Sequence, residues 1–243
     1  MHLSVIIPAY NEEKNIAKTL EEIDNYLSKQ SYDYEILVIN DGSKDGTVEK
    51  VKSLLSRIRN LRLIDDKENH GKGYSVRQGM LKTRGDFRLF TDADNSTSID
   101  QVEKIWPETK KGYDIVIGSR DIKGAVLDPP QPFIRNIILG EGFKLFRKFV
   151  IGLWGIEDTQ CGFKCFTKRA AENISSKCKI DRFAFDPEML IIAKKLGYKI
   201  KEIPVYWKNN PNSRVKISSM IKMALDLFVI RKNLINRVYD SKK

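Results

Sequence analysis

Histidine and cysteine are scarce in this chain: 243 residues include two histidines, His2 and His70, and three cysteines, Cys161, Cys165 and Cys178. So few cysteines, and an odd number of them, exclude a disulfide framework, and two histidines leave no convincing structural zinc site. The cysteines read as reduced thiols of a cytoplasmic protein. Neither a P-loop GxxxxGK[ST] nor a GxGxxG fingerprint is present, so any nucleotide is held by something other than a glycine cradle. No apolar run reads as a membrane span. LSVIIPAYNEE turns acidic too soon for a secretory signal, and Lys222 and Asp226 interrupt the long run at 217–235. Internal repeats and low-complexity tracts are also missing. Acidic charge is in deficit, with 32 Asp and Glu against 43 Lys and Arg, a net charge of +11. That surplus favours an anionic partner: nucleic acid, an acidic membrane surface or a phosphorylated small molecule. No nucleic-acid-binding module is recognisable, so nucleic acid is not the expected partner.

What is present is alternation. LSVIIP (3–8), YEILVI (34–39), LRLI (61–64), DFRLFT (86–91) and YDIVIG (113–118) predict strands by their Val, Ile, Leu and Phe content. Between them Ile16, Leu20, Ile23 and Leu27, then Val48, Val51, Leu54, Leu55 and Ile58, recur at helical spacing. Such alternation predicts right-handed βαβ crossovers and an α/β, doubly wound, mostly parallel sheet covered on both faces. Residues 1–120 form the expected nucleotide-binding half and 121–243 a second half of the same domain. In the latter, KGAVLDPPQP (123–132) reads as a loop and 133–156 as an apolar, basic segment whose one acid is Glu141. PEMLIIAKKLG (187–197) and 217–235 read as helices, and YKIKEIPVYW (198–207) alternates like a strand.

Ligands of open parallel sheets bind at the carboxyl ends of strands. PAYNE (8–12), NDGS (40–43), TDAD (91–94) and GSR (118–120) all follow predicted strands. Each alone is compatible with turn chemistry; four at one sheet edge argue for a site. Asp92 and Asp94 have two readings. One is a helix start, with Asp94, Asn95, Ser96 or Ser98 as the cap. The other is a hard-cation site in which carboxylates hold Mg2+ or Mn2+ and substrate phosphates complete the shell.

VIIPAYNEE, VINDGSKDGT, NHGKGYSVRQGM, TDADNS and GSR resemble, in order and spacing, the inverting nucleotide-sugar glycosyltransferases of the GT-A fold. DTQCGFKCFTKRAA (158–171), FAFDPEML (183–190), EIPVYW (202–207) and MALDLFVIRKN (223–233) resemble the dolichyl-phosphate β-glucosyltransferase branch and its polyprenyl-phosphate relatives. The resemblance implies that Pro8, Tyr10 and Glu12 line the base and ribose pocket, and that Asp41 hydrogen-bonds the base. It implies that Lys72 and Arg77 reach phosphate, Asp94 holds the metal, and Asp92 binds either metal or ribose. Where the related mannose synthases have a metal-binding glutamine, this chain has Ser96, a weaker ligand. Arg120 and Arg135 match the acceptor-phosphate clamp, a role suited to the guanidinium fork. Arg214 and Lys216, in a loop that departs from the usual glycine-serine-lysine, are further phosphate contacts. Asp158, Gln160, Asp186 and Glu188 fall where relatives close over the sugar, with Gln160 and Cys161 as pocket lining or core.

The implied reaction transfers a hexose, glucose from a UDP-glucose donor, to dolichyl or polyprenyl phosphate with inversion. GDP-mannose as donor and a sugar hydroxyl as acceptor are the alternatives. A phosphate monoester has a second pKa of roughly 6 and needs no strong base; with an alcohol acceptor, Asp186 is the expected base. A lipid acceptor implies a membrane surface, and a peripheral position on its cytoplasmic face. The segment 133–156 offers Phe133, Ile137, Ile138, Phe146, Phe149 and Trp154 with Arg135, Lys144, Arg147 and Lys148 for that contact. The same pattern also suits a helix packed on the sheet or on a second subunit of a homo-oligomer.

Overall fold

The computed structural model describes residues 2–130, 142–208 and 217–240. β1 (His2–Ala9) is buried from Leu3 onward, the continuous apolar pattern of a strand covered on both faces. β2 (Asp33–Asp41), β3 (Leu61–Asp66), β4 (Phe87–Thr91) and β5 (Ile115–Ser119) follow where the sequence predicts them. α1 (Ile16–Leu27) buries Ile16, Thr19, Leu20, Ile23 and Leu27 along one stripe, and α2 (Thr47–Leu54) buries Thr47, Val48, Val51 and Leu54. α3 (Lys72–Lys82) covers the opposite face of the sheet through Val76 and Met80, which pack in one cluster with Ile6 and Phe90. A 3₁₀ turn (Ile99–Lys104) and α4 (Trp106–Lys110) lead into β5.

The second half supplies β6 (Val126–Asp128), α5 (Gly142–Ile151), β7 (Phe163–Thr167), α6 (Lys168–Ser175), α7 (Phe185–Lys195), β8 (Ile200–Pro204), β9 (Tyr206–Lys208) and α8 (Ile217–Ile235). The main sheet has the order β3-β2-β1-β4-β7-β5-β8. Every pairing in it is parallel except those of β7 with β4 and β5. The two halves therefore share one sheet.

Three local expectations change. FKCFT, within the motif at 158–171, is strand β7. Its residues from Phe163 to Phe166 are all buried, so the polar-apolar alternation that flags a strand is lost. The alternating run at 198–207 divides at Val205 into β8, on the main sheet, and β9, which pairs with β6 in a two-stranded ribbon. The expected loop at 123–132 thus contains a short strand. Because β7 runs backwards, its first residue lies beside the last of β4, with Phe163 opposite Thr91. That reversal delivers the loop before β7 to the edge where the parallel strands end.

Candidate active site

The loops after β1 and β2 lock together. Asn11, at φ 55°, adopts the left-handed conformation that asparagine tolerates. Its N–H donates to Ser43 Oγ at 2.9 Å, and its Oδ1 accepts from Lys44 N at 2.8 Å. Glu12 N donates to Thr47 Oγ1 at 2.8 Å, and the Glu12 carboxylate accepts from Asn15 Nδ2 at 2.9 Å. Tyr10 is 43% exposed at the strand exit, where a ring can wall or stack on a base. Pro8 is buried on β1 in register with Ile39, one residue before the strand ends.

Asp41, expected to meet the base, is engaged by the chain that leads into α3. It is buried, and its oxygens accept from His70 N at 2.8 Å, Gly71 N at 2.9 Å and Asn69 Nδ2 at 2.9 Å. Burial raises its pKa against the pull of those backbone N–H groups. Its work in this structure is to fold the turn that starts α3. Gly71 sits there at φ +115°, and a Cβ on it would lie 2.4 Å from Asp181 O.

That turn aims Lys72, the first residue of α3, at Asp92. Lys72 Nζ lies 2.5 Å from Asp92 Oδ1, with the lysine side chain 27% and the aspartate 33% exposed. Desolvation works against the Lys72 charge, but Asp92, Asp186 and Asp94 outweigh it and hold the ammonium above its usual range. The other side of the Asp92 carboxylate rests on Gly162, where a Cβ would lie 2.0 Å from Oδ2. Asp94 Oδ1 accepts from Ser96 N at 3.0 Å, while Ser96 O accepts from Lys208 N at 2.8 Å. Ser96 thus ties the loop to β9 through its backbone. Among the described residues no cluster of three His, Cys, Asp or Glu gathers as a metal cage. Two hard carboxylates, Asp92 against Gly162 and Asp94 held by the Ser96 N–H, fit the one-or-two-carboxylate mode by which Mg2+ and Mn2+ are shared with substrate phosphates.

Arg120 and Asp158 form the second pair. Arg120 Nε donates to Asp158 Oδ2 at 2.7 Å and Nη2 to Oδ1 at 3.0 Å, a bidentate fork. The guanidinium also lies 5.3 Å from the Trp207 ring centroid, within cation–π range. Asp158 further accepts from the N–H groups of Arg120, Gln160 and Cys161. Desolvation opposes its charge, yet Arg120 holds the carboxyl well below the usual range. Asp158 therefore positions Arg120 and the loop. Gln160 keeps a buried Nε2 without a hydrogen-bond partner, so it remains fit for a ligand.

Asp186 and Glu188, on α7, likewise have protein partners. Asp186 Oδ1 accepts from Lys164 Nζ at 2.6 Å, and both groups are buried. Burial pushes the Asp186 carboxyl up, against Lys164 and Lys72. This ion pair gives Asp186 a buried internal partner. Glu188 is fully buried and accepts from Lys179 N, Ile180 N and Tyr239 Oη, so it braces the chain before α7. Arg77 is tied to Asp181 at 2.6 Å. Burial pushes the Cys161 thiol up to about 12, which leaves no nucleophile there. Arg135, Arg214 and Lys216 lie outside the described residues.

A Glycosyl transferase family 2 model matches residues 4–175. The chain belongs to that family. It is 40% identical over 242 residues to a dolichyl-phosphate beta-glucosyltransferase of Trichomonas vaginalis, covering 95% of this chain and 73% of the relative. The human protein of the same name is 35% identical over 246 residues, covering 94% and 74%. Among solved structures, mannosyl-3-phosphoglycerate synthase from Rubrobacter xylanophilus superposes with a TM-score of 0.69 at 17% identity, covering 100% of this chain and 77% of that one. Glucosyl-3-phosphoglycerate synthase from Mycobacterium tuberculosis, in complex with Mn2+, UDP and phosphoglyceric acid, has a TM-score of 0.66 at 17% identity, covering 99% and 79%. The fold is GT-A and the protein is a glycosyltransferase.

Two residues of this glycosyltransferase's DTQCGFK motif contact the expected site carboxylates: Lys164 pairs with Asp186, and Gly162 lies against Asp92. Lys164 and Gly162 lie within DTQCGFK, yet the roles went to its Asp and Gln. A lysine inside the apolar stretch FKCF was the available signal, since a buried ammonium needs an anionic partner.

Proposed function

We propose that this glycosyltransferase transfers glucose from UDP-glucose to dolichyl or polyprenyl phosphate, inverting the anomeric carbon, at the cytoplasmic face of a membrane. The observation that carries the reading is the state of its acids. Asp158, Asp186 and Glu188 are all occupied by internal partners. A hydroxyl nucleophile needs a base to take its proton. A phosphate monoester arrives largely as a dianion at neutral pH, with a second pKa of roughly 6. The names of the relatives that match nearly the whole chain support the same acceptor.

Asp92 and Asp94 would hold Mg2+ or Mn2+, which supplies positive charge to the departing nucleoside diphosphate. Tyr10 offers the base a wall, and Gln160 offers an amide to sugar hydroxyls. Arg120, fixed by Asp158 and Trp207, is a preorganised cation for an anionic acceptor.

A lipid-borne acceptor also accounts for the outer surface of α5 and α8. The helices pack through Phe146 and Phe228, whose ring centroids are 5.6 Å apart. α8 buries Met223, Leu227 and Ile230, yet Ile221, Leu225, Val229 and Ile235 are exposed, as are Leu145, Phe149 and Trp154 in and after α5. A helix apolar on its second face needs a cover, and exposed Lys222, Arg231 and Lys232 border it. That composition suits the headgroup and acyl boundary of an anionic bilayer. The expected cationic contributors from α5 are otherwise engaged: Arg147 is buried, and Lys148 pairs with Glu157 at 3.0 Å. No helix among the described residues is long and apolar enough to cross a membrane.

The test supplies folded protein with Mg2+ or Mn2+, UDP-glucose or GDP-mannose, and a short polyprenyl phosphate, and weighs the lipid product by mass spectrometry. A glucosyl phospholipid is expected. No glycolipid, or a mannosyl product alone, overturns the reading. Co-sedimentation with anionic vesicles tests the surface, which a dimer closed over α5 and α8 would refute.

A further inference from the structure

Four charges alternate in sign from the mouth of the site to the core: Asp92, Lys72, Asp186 and Lys164. The ends are fixed by distance, with Lys72 Nζ at 2.5 Å from Asp92 Oδ1 and Lys164 Nζ at 2.6 Å from Asp186 Oδ1. Lys164 is fully buried and also donates to Cys161 O, so the inner pair cannot move without opening the loop before β7. The outer pair is partly exposed, and lysine is a flexible point charge with three donors. Lys72 feels Asp186 and Asp94 as well as Asp92, so it has a second carboxylate within electrostatic reach. On the metal-dependent reading above, the Asp92 carboxylate would serve an ion. Lys72 already stands there.

We infer that Lys72 is a resident cation which competes with the divalent metal for Asp92 in the substrate-free enzyme, and passes to the donor diphosphate when metal and nucleotide bind together. The inference rests on the proposed metal-dependent function. It makes the free enzyme a poor metal site and the nucleotide-loaded enzyme a good one, because the diphosphate supplies the anion that Lys72 loses. Metal and nucleotide then bind with strong mutual coupling, part of which belongs to one side chain. As a positioning charge on the family's metal edge, Lys72 carries opposite effects on the two ligands, which loss of packing alone does not produce.

The experiment measures Mn2+ by electron paramagnetic resonance and UDP by calorimetry, each alone and with the other, on wild type, Lys72→Met, Lys72→Gln and Lys72→Arg. The neutral variants are expected to bind Mn2+ alone at least about tenfold more tightly than wild type, and UDP alone at least about tenfold more weakly. Lys72→Arg keeps the charge and is expected to stay near wild type for both. Either neutral variant suffices if the other does not fold. Mn2+ affinity unchanged or weakened in the folded neutral variant overturns the inference while leaving the metal reading intact. Wild type that binds no Mn2+, with or without UDP, overturns both.

Discussion

Two carboxylate–cation pairs face the same sheet edge and are built to opposite specifications. Asp158 is 3% exposed and is held by a bidentate guanidinium and three backbone N–H groups. Asp92 is one-third exposed and meets a single ammonium, with a glycine behind it. The first pair cannot be broken without stranding a buried charge. The second can exchange its cation with little reorganisation. A site that must grip one anion while repeatedly loading and releasing another needs one of each.

The comparison is broken most severely by Asp92→Asn. Transfer is expected to fall about 10²- to 10³-fold, on the scale of losing one main electrostatic stabiliser of the transition state. Stability should change by less than about 1 kcal/mol, as for a partly exposed pair. Initial rates and urea midpoints measured on the same preparation check both halves.

Asp158→Asn should behave in reverse, costing about 3–5 kcal/mol of stability. Its signature is in pH. The folded pKa of Asp158 is depressed, so its contribution is present above the unfolded carboxylate pKa of about 3.9 and is lost as pH falls through the lower folded value. The gap between wild-type and variant urea midpoints should therefore hold from pH 7 to about pH 4 and close only below that. A gap that closes near pH 6 would mean that Asp158 is not the ionised partner of Arg120.

Gly162→Ala sharpens the contrast. A methyl group there meets the movable carboxylate of Asp92, at 2.0 Å from Oδ2, and not backbone. Displacing the carboxylate is expected to cost about 10- to 100-fold in rate, with a Tm within about 3 °C of wild type. The smallest effect belongs to Ser96→Ala. Since Ser96 supports Asp94 through its backbone N–H, which alanine retains, rate and Mn2+ affinity should stay within about threefold of wild type. A larger loss would give the hydroxyl a ligand role.

Much of this was legible along the chain. The five first-half strands fall where Val, Ile, Leu and Phe cluster, and α1, α2, α7 and α8 fall where the apolar spacing is helical. The edge at which the site forms followed from polar residues placed just after strands. The individual roles were less legible. Asp41, Asp158, Asp186 and Glu188 all read as ligand-facing acids, and all four prove to hold protein groups. A carboxylate beside a strand end looks the same in one dimension whether its partner is a substrate, a backbone N–H or a distant lysine.

The sequence by itself determined the order of elements, the two-faced sheet and the chemistry available at its edge, because periodicity and residue type act over a few neighbours. Tertiary structure alone decided which charges meet. Residues 72 and 92 meet where α3 starts and parallel β4 ends, whereas 120 and 158, and 164 and 186, come together because β7 enters the sheet backwards between β4 and β5. That reversal returns the residues before it to the edge where the parallel strands end. Once they are buried there, the cost of an unpaired charge selects each partner.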